Sequence, residues 1–169
     1  TAQDFLTGLE FVMNYHKNAS TNISMPQEMI QGADEYYKYT KGLSEEEGRA
    51  LTADEGSKFL EMVGIEAPDD YTVVYHCTAE LPYFPTVATY NCLYPASQAL
   101  IDELGIDGFL ACDDTTMWFN GPYLLTSYIP QNEKVLTKNE SYWDTESQRF
   151  DTVTIRMIES LDTGFQLYQ

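Results

Sequence analysis

Phe5, Leu9 and Val12 recur at helical spacing behind Thr1, with Asp4 at the third helical position. This pattern predicts a helix over residues 2–15 opened by a capping box. A second stripe of Met29, Ala33 and Tyr37 follows Ser24 and Pro26. Proline is tolerated in a first turn and Gln27 would complete another capping box, which predicts one helix from Ser24 to about Thr40, closing near Gly42. Ser44 to Arg49 is a charge run, read as a loop or a solvated helix face. Thr52 with Glu55 would cap the helix that carries Phe59, Leu60 and Val63, with Gly64 left-handed at its end.

The period then changes from helical to two. Tyr71, Val73, Tyr75, Cys77 and Ala79 alternate with Thr72, Val74, His76 and Thr78 after the Pro68-Asp69-Asp70 turn, which predicts a strand. Leu81 to Tyr90 reads as an aromatic, proline-interrupted helix, Pro95 to Leu104 as a helix stopped by Gly105, and 106–120 as a loop. Tyr123, Leu125, Ser127 and Ile129 alternate, Pro130 to Glu133 can turn, and Lys134 to Lys138 can pair back as a hairpin. Val153, Ile155 and Met157 mark a further strand, and Asp162 can cap a last helix holding Phe165 and Leu167. The pattern is that of an α+β protein without internal repeats.

Composition narrows the class. The chain has 169 residues, 43% of them hydrophobic, with 13 tyrosines. That is enough apolar surface to offset chain entropy, so it folds. Its 27 acidic against 9 basic side chains give a net charge of −18, which repels phosphate backbones and anionic headgroups and disfavours nucleic acid and membrane surfaces as partners. The same charge could attract cationic ligands, or be no more than a solvated acidic surface. No apolar run is long enough to span a bilayer. An export signal or a lipid anchor is expected only outside these residues. Cys77, Cys92 and Cys112 show no metal-ligand spacing and read as small apolar side chains.

Catalytic chemistry is hard to assemble from this inventory. His16 and His76 lie far apart and in no zinc pattern. Asp69-Asp70 and Asp113-Asp114 could be acid/base pairs but read as turn formers. The 144–148 stretch alternates oxygen ligands, yet lacks the glycine and terminal glutamate of a calcium loop. Neither a glycine-rich phosphate loop nor a nucleophile elbow occurs. No cofactor, metal or enzymatic activity is expected.

The motifs point further. Asn120-Gly121-Pro122-Tyr123-Leu124-Leu125, then Tyr128-Ile129-Pro130, Glu133 to Leu136, Lys138-Asn139 and Tyr142-Trp143-Asp144, resemble in order a signature segment of the family 5 solute-binding proteins. Thr1 to Phe5, Asp69 to Val73, Pro82-Tyr83-Phe84, Asp151 to Arg156 and Gly164 to Tyr168 resemble further family motifs along the whole chain. "YIPQNE" lacks the Trp and Gly usual there, and Glu45 to Lys58 looks like an insertion. Gly121 would serve close backbone approach or an unusual dihedral before the hairpin. Tyr142 and Trp143 would form a buried aromatic lid.

The resemblance implies a class II periplasmic-binding-protein-like fragment, a mixed sheet with an antiparallel hairpin and flanking helices. Residues 1–94 would be part of an outer subdomain of the N-terminal lobe and 95–169 part of the ligand-lobe sheet. It implies an extracytoplasmic, non-catalytic receptor, periplasmic or a cell-surface lipoprotein, binding an oligopeptide for an ABC permease, with membrane attachment outside this chain. A nickel chelate or sugar as ligand, or an acidic interaction module without a small ligand, are the rival readings. Thr21, Asn22 and Ile23, after the first helix, and Tyr90, near the crossover, are the expected ligand contacts. "Ser20-Thr21-Asn22" stands where the family has an aromatic.

Overall fold

A computed structural model describes residues 1–18, 23–158 and 160–168. The chain divides into two compact units, 1–106 and 107–169. In the first, α1 (Ala2–Met13) is capped as its sequence demands, with the Asp4 carboxylate accepting from the Thr1 hydroxyl at 3.1 Å. Its buried stripe runs through Leu6, Leu9 and Met13. These join Ile30, Tyr36, Phe59 and Ile65 in one core. Burying each such side chain contributes about 1.5–3 kcal/mol before ordering costs are subtracted.

The single helix expected from Ser24 to Thr40 is two, α2 (Ser24–Met29) and α3 (Ala33–Lys41). The break is imposed by pairing across the chain. Ile30 is extended and bridges Cys77, the Gln31 amide donates to the His76 carbonyl at 2.9 Å, and the Gly64 amide donates to the Gln31 carbonyl at 2.8 Å. Gly32, at φ +71°, then turns the chain into α3. A β carbon there would lie 1.7 Å from the Met62 carbonyl oxygen, so only glycine fits. Gln27 completes no capping box, because its side-chain amide donates to Asp34 at 2.7 Å.

The charge run 44–49 is a short helix, α4 (Glu45–Arg49), closed by a Ser44/Glu47 capping box. α5 (Lys58–Met62) is capped by Ser57 rather than Thr52, and Gly64 is not left-handed. Gly64 serves close approach instead, since a β carbon would meet the His76 Cβ at 2.8 Å. Pro68 and Asp69, expected to turn, are the end of β1 (Ile65–Asp69), which is antiparallel to β2 (Thr72–Tyr75). The aromatic helix shrinks to α6 (Phe84–Val87), followed by a 3-10 turn at Asn91–Leu93. The expected helix does stop at Gly105, which is non-helical at φ +69° and ψ 169° and separates two helical stretches within Gln98–Leu110, together labelled α7; the second stretch lies where a loop was expected.

In the second unit β3 (Tyr123–Ile129), β4 (Glu133–Lys138) and β5 (Thr152–Arg156) form a sheet ordered β3-β4-β5. The expected hairpin is present. Every pairing in both sheets is antiparallel, so the expected mixed sheet shows only its antiparallel part among the described residues. A bulge between Leu125 and Ser127 breaks the predicted alternation, so that Leu125 pairs with Leu136 but Tyr128 pairs with Lys134. Directly paired residues share a face. Leu125, Tyr128, Leu136, Lys134, Val153 and Ile155 therefore line one side, and Ser127 and Ile129 do not follow Leu125.

Three further expectations are corrected here. Gly121 has no left-handed backbone and nothing within 4 Å of a β carbon. Trp143 is 84% exposed and no buried lid. Asp162 lies inside the first turn of α8 (Leu161–Tyr168) and does not cap it.

Candidate ligand-binding site

The expected ligand contacts fall in the first unit. Thr21 and Asn22 lie outside the described residues. Ile23 is the residue before α2, half-buried, packed against the core, with its carbonyl accepting from the Gln27 amide at 3.0 Å. Tyr90 precedes the 3-10 turn in an extended conformation and is 49% exposed. Its amide donates to the Val87 carbonyl at 2.9 Å, and its carbonyl accepts from Leu93 at 3.0 Å, so its backbone is fixed while its ring faces outward. α2 packs on the 3-10 turn and α1 packs on both. The start of α2 and the segment entered at Tyr90 therefore belong to neighbouring elements, although they are far apart in sequence.

A buried polar cluster underlies the turn that leaves α1. Glu10 and Lys17 form an ion pair at 2.7 Å, with only 1% and 7% of their side chains exposed. The other Glu10 oxygen accepts from Asn14 Nδ2 at 2.8 Å and from the Tyr36 hydroxyl at 2.8 Å. Every charged oxygen thus has a partner, which is the condition for burying it. Burial, reinforced by the Glu10 carboxylate, pushes the Tyr36 phenol far above its ordinary value. A signal of this cluster stands in the sequence only once the buried stripe is known, because Glu10 and Asn14 stand four apart on the stripe of Leu6, Leu9 and Met13, polar residues on a face that must be buried.

The groups with catalytic potential are occupied structurally. Asp69 accepts from the Tyr71 amide at 2.8 Å and the Thr72 hydroxyl at 2.9 Å. Asp113 accepts from the amide and the hydroxyl of Thr115 at 2.9 and 2.7 Å. These bonds hold both carboxyls below their usual range, which suits turn formers and not proton donors. His76 Nε2 pairs with Glu66 at 2.7 Å on an exposed face. Burial pushes the Cys92 thiol up, away from reactivity. Cys77, Cys92 and Cys112 are not in disulfides. Among the described residues no cluster of His, Cys, Asp and Glu could hold a metal ion.

A surface hollow of about 480 Å³ lies between α1 and β1, lined by Gln3, Leu6, Glu55, Leu60, Ile65 and Glu66 among others. Neither Ile23 nor Tyr90 lines it. Its polar groups do not converge on the space, since Gln3 Nε2 donates to the Ala53 carbonyl at 2.9 Å and Glu66 is paired with His76. The better candidate is the surface at the α2 start and Tyr90, which can offer hydrogen bonds and an aromatic face.

Comparison with known proteins places this geometry. The sequence profile of the bacterial extracellular solute-binding proteins, family 5 Middle, matches residues 1–169. Oligopeptide-binding protein AliA of Streptococcus pneumoniae is 30% identical over 163 residues, 96% of this chain but 22% of its own length. Oligopeptide-binding protein SarA of Streptococcus gordonii is 27% identical over 163 residues, with the same two shares. The structure of Burkholderia pseudomallei OppA superposes with a TM-score of 0.79 at 23% identity, over 100% of this chain and 29% of that one, and shows the shared fold. The chain thus spans less than a third of the proteins it matches, and it belongs to the bacterial extracellular solute-binding proteins of family 5.

Proposed function

We propose that this chain is part of an oligopeptide receptor that delivers its ligand to an ABC importer outside the cytoplasm. The observation that carries the reading is the family match over the full 169 residues, joined to relatives named for oligopeptide binding. Residues 1–94 would belong to the outer part of one lobe and 95–169 to the ligand-lobe sheet. The peptide is held between lobes that close on it, largely through its backbone, so side-chain identity matters little. The receptor is not an enzyme: ligand is captured and handed to a permease unchanged. No helix among the described residues is long and apolar enough to cross a membrane, and attachment would be made by an anchor outside this chain.

In this reading Thr21, Asn22 and Ile23 offer backbone and short polar groups to the peptide, and Tyr90 offers its exposed ring. The test is calorimetry and mass spectrometry on the full-length receptor exposed to a random tripeptide mixture. Wild type retains peptides, and Asn22→Ala or Tyr90→Ala weakens retention by about 1 kcal/mol, the scale of one net hydrogen bond, without shifting the melting temperature. Retention of nickel chelates or sugars but no peptide would sink the ligand assignment. Unchanged affinity in both variants would remove these residues from the site.

A further inference from the structure

The stretch 90–96 frames two tyrosines. Cys92 and Leu93, inside the 3-10 turn, are buried in the core. The Leu93 amide donates to the Tyr90 carbonyl at 3.0 Å, and the Tyr94 amide donates to the Asn91 carbonyl at 3.3 Å. Beyond the turn, the Ala96 amide donates to the Asp4 carbonyl of α1 at 2.9 Å. The chain lies so close on α1 there that a β carbon on Gly8 would stand 2.2 Å from the Tyr94 carbonyl oxygen. Tyr94, like Tyr90, is extended at one end of the turn, and it is 58% exposed. Both backbones are fixed while both rings stand in solvent.

What such rings bind depends on the charges around them. Two other exposed tyrosines carry a cation of their own chain: Lys41 Nζ lies 5.4 Å from the Tyr15 ring centre, and Lys134 Nζ lies 5.4 Å from that of Tyr128. Among the described residues no such cation stands over Tyr90 or Tyr94. The sequence holds neither Lys nor Arg over 59–133, and His76, the histidine of that stretch, is paired with Glu66. α1 and α2, which pack on the turn, carry Asp4, Glu10 and Glu28 and no basic side chain. A ring face attracts a cation through its quadrupole, the more so where ligand excludes water. A neutral aromatic side chain could stack on the same rings, but the surrounding charge does nothing to favour it. A net charge of −18 does favour a cation, within the screening length of the solution.

We propose that Tyr90 and Tyr94 form an aromatic subsite for a cationic ligand side chain, so that the receptor prefers peptides carrying lysine or arginine. The proposal rests on the reading that Tyr90 contacts the peptide, and it adds Tyr94 as a second contact. The ligand backbone is still held without regard to sequence, and the subsite superimposes a charge preference on that grip.

Calorimetry on the full-length receptor tests this with three tripeptide mixtures, each of two alanines and one lysine, norleucine or glutamate at any position. Norleucine keeps the apolar stem of lysine without its charge. Wild type should bind the lysine mixture about tenfold more tightly than the norleucine mixture, and the glutamate mixture least. Tyr90→Leu and Tyr94→Leu should each cut the lysine preference to below about threefold. The melting temperature should not move, because both rings are exposed. Tyr94→Phe should keep the preference, since the ring face and not the hydroxyl is the attracting group. Equal wild-type affinity for lysine and norleucine overturns the proposal, as does tighter binding of norleucine. A lysine preference unchanged in both leucine variants also overturns it. So does an equal loss for all three mixtures, which would leave the tyrosines as peptide contacts without charge selection. If wild type binds peptide and neither leucine variant weakens any mixture, the placement of Tyr90 at the site fails as well.

Discussion

At the scale of single residues, two glycines show how backbone approach decides a sequence choice. Gly32 combines a left-handed φ of +71° with a carbonyl where its β carbon would be. The conformation alone costs an L-residue about 1–2 kcal/mol, and the collision must add to it. Gly32→Ala should therefore lose more than about 2 kcal/mol in urea unfolding, and a loss below half of that would mean the chain relaxes easily around the site. One buried and one half-buried tyrosine, Tyr36 and Tyr75, make a second expectation. Burial, with a smaller contribution from Cys92, pushes the Tyr75 phenol up to about 12, and Tyr36 lies higher still. A phenol whose folded pKa is raised contributes stability that is complete below its unfolded value, about 10, and is lost as pH rises through the folded one. Ultraviolet titration should show these two rings ionising after the exposed ones, with stability declining above about pH 10. Simultaneous ionisation of all the tyrosines in folded protein would refute it.

At the scale of elements, the β3–β4 hairpin carries a local conflict. Its turn is Ile129-Pro130-Gln131-Asn132, closed by the Asn132 amide donating to the Ile129 carbonyl at 3.1 Å. Gln131 stands at φ +59°, the only positive φ outside glycine among the described residues. Proline at the second turn position suits such a turn, and the third position favours glycine or asparagine. Gln131→Gly should raise stability by about 0.5–1 kcal/mol, the relief of the left-handed strain less the entropy of a freer unfolded chain. A drop in melting temperature would show that the glutamine side chain contributes more than its backbone costs. α7 has the same kind of irregularity without the conflict, because its left-handed residue, Gly105, is already a glycine and has open space around it.

For the molecule as a whole, charge and exposed apolar surface dominate. A net charge of −18 on a chain of this size makes its folded form repel itself. Several ion pairs offset this only locally, and most lie on the surface, where such pairs contribute little. Raising sodium chloride from about 0.01 to about 0.15 M shortens the screening length from roughly 30 to 8 Å. The melting temperature should rise accordingly, and a fall would mean that attractive pairs outweigh the net repulsion. In the second unit Trp118, Trp143, Phe150 and Ile155 are exposed.

The sequence by itself determined what depends on neighbours along the chain. The capped α1, the β3–β4 hairpin and β5 follow from period, caps and turn residues, and the order of motifs identified the family, because both kinds of signal are local. Tertiary structure decided what depends on partners distant in sequence. Ile30 leaves the helix expected from Ser24 to Thr40 for a bridge to Cys77, a pairing that no window around residue 30 contains. β1 formed through Pro68 because β2 was there to pair with it. The bulge that swings Tyr128 onto the Leu125 face appears only in the β3–β4 register. At the candidate site, the residue types after α1 were legible, but the burial of Glu10 was not, because the stripe read from the sequence was Phe5, Leu9 and Val12 whereas the buried one is Leu6, Leu9 and Met13. Nor were the bonds of Asn14, His16 and Lys17 legible, because they run to the carbonyls of Gly48, Leu43 and Leu51. Backbone carbonyls are the same in every residue, so a sequence gives no sign of which ones a fold will bring to a buried lysine.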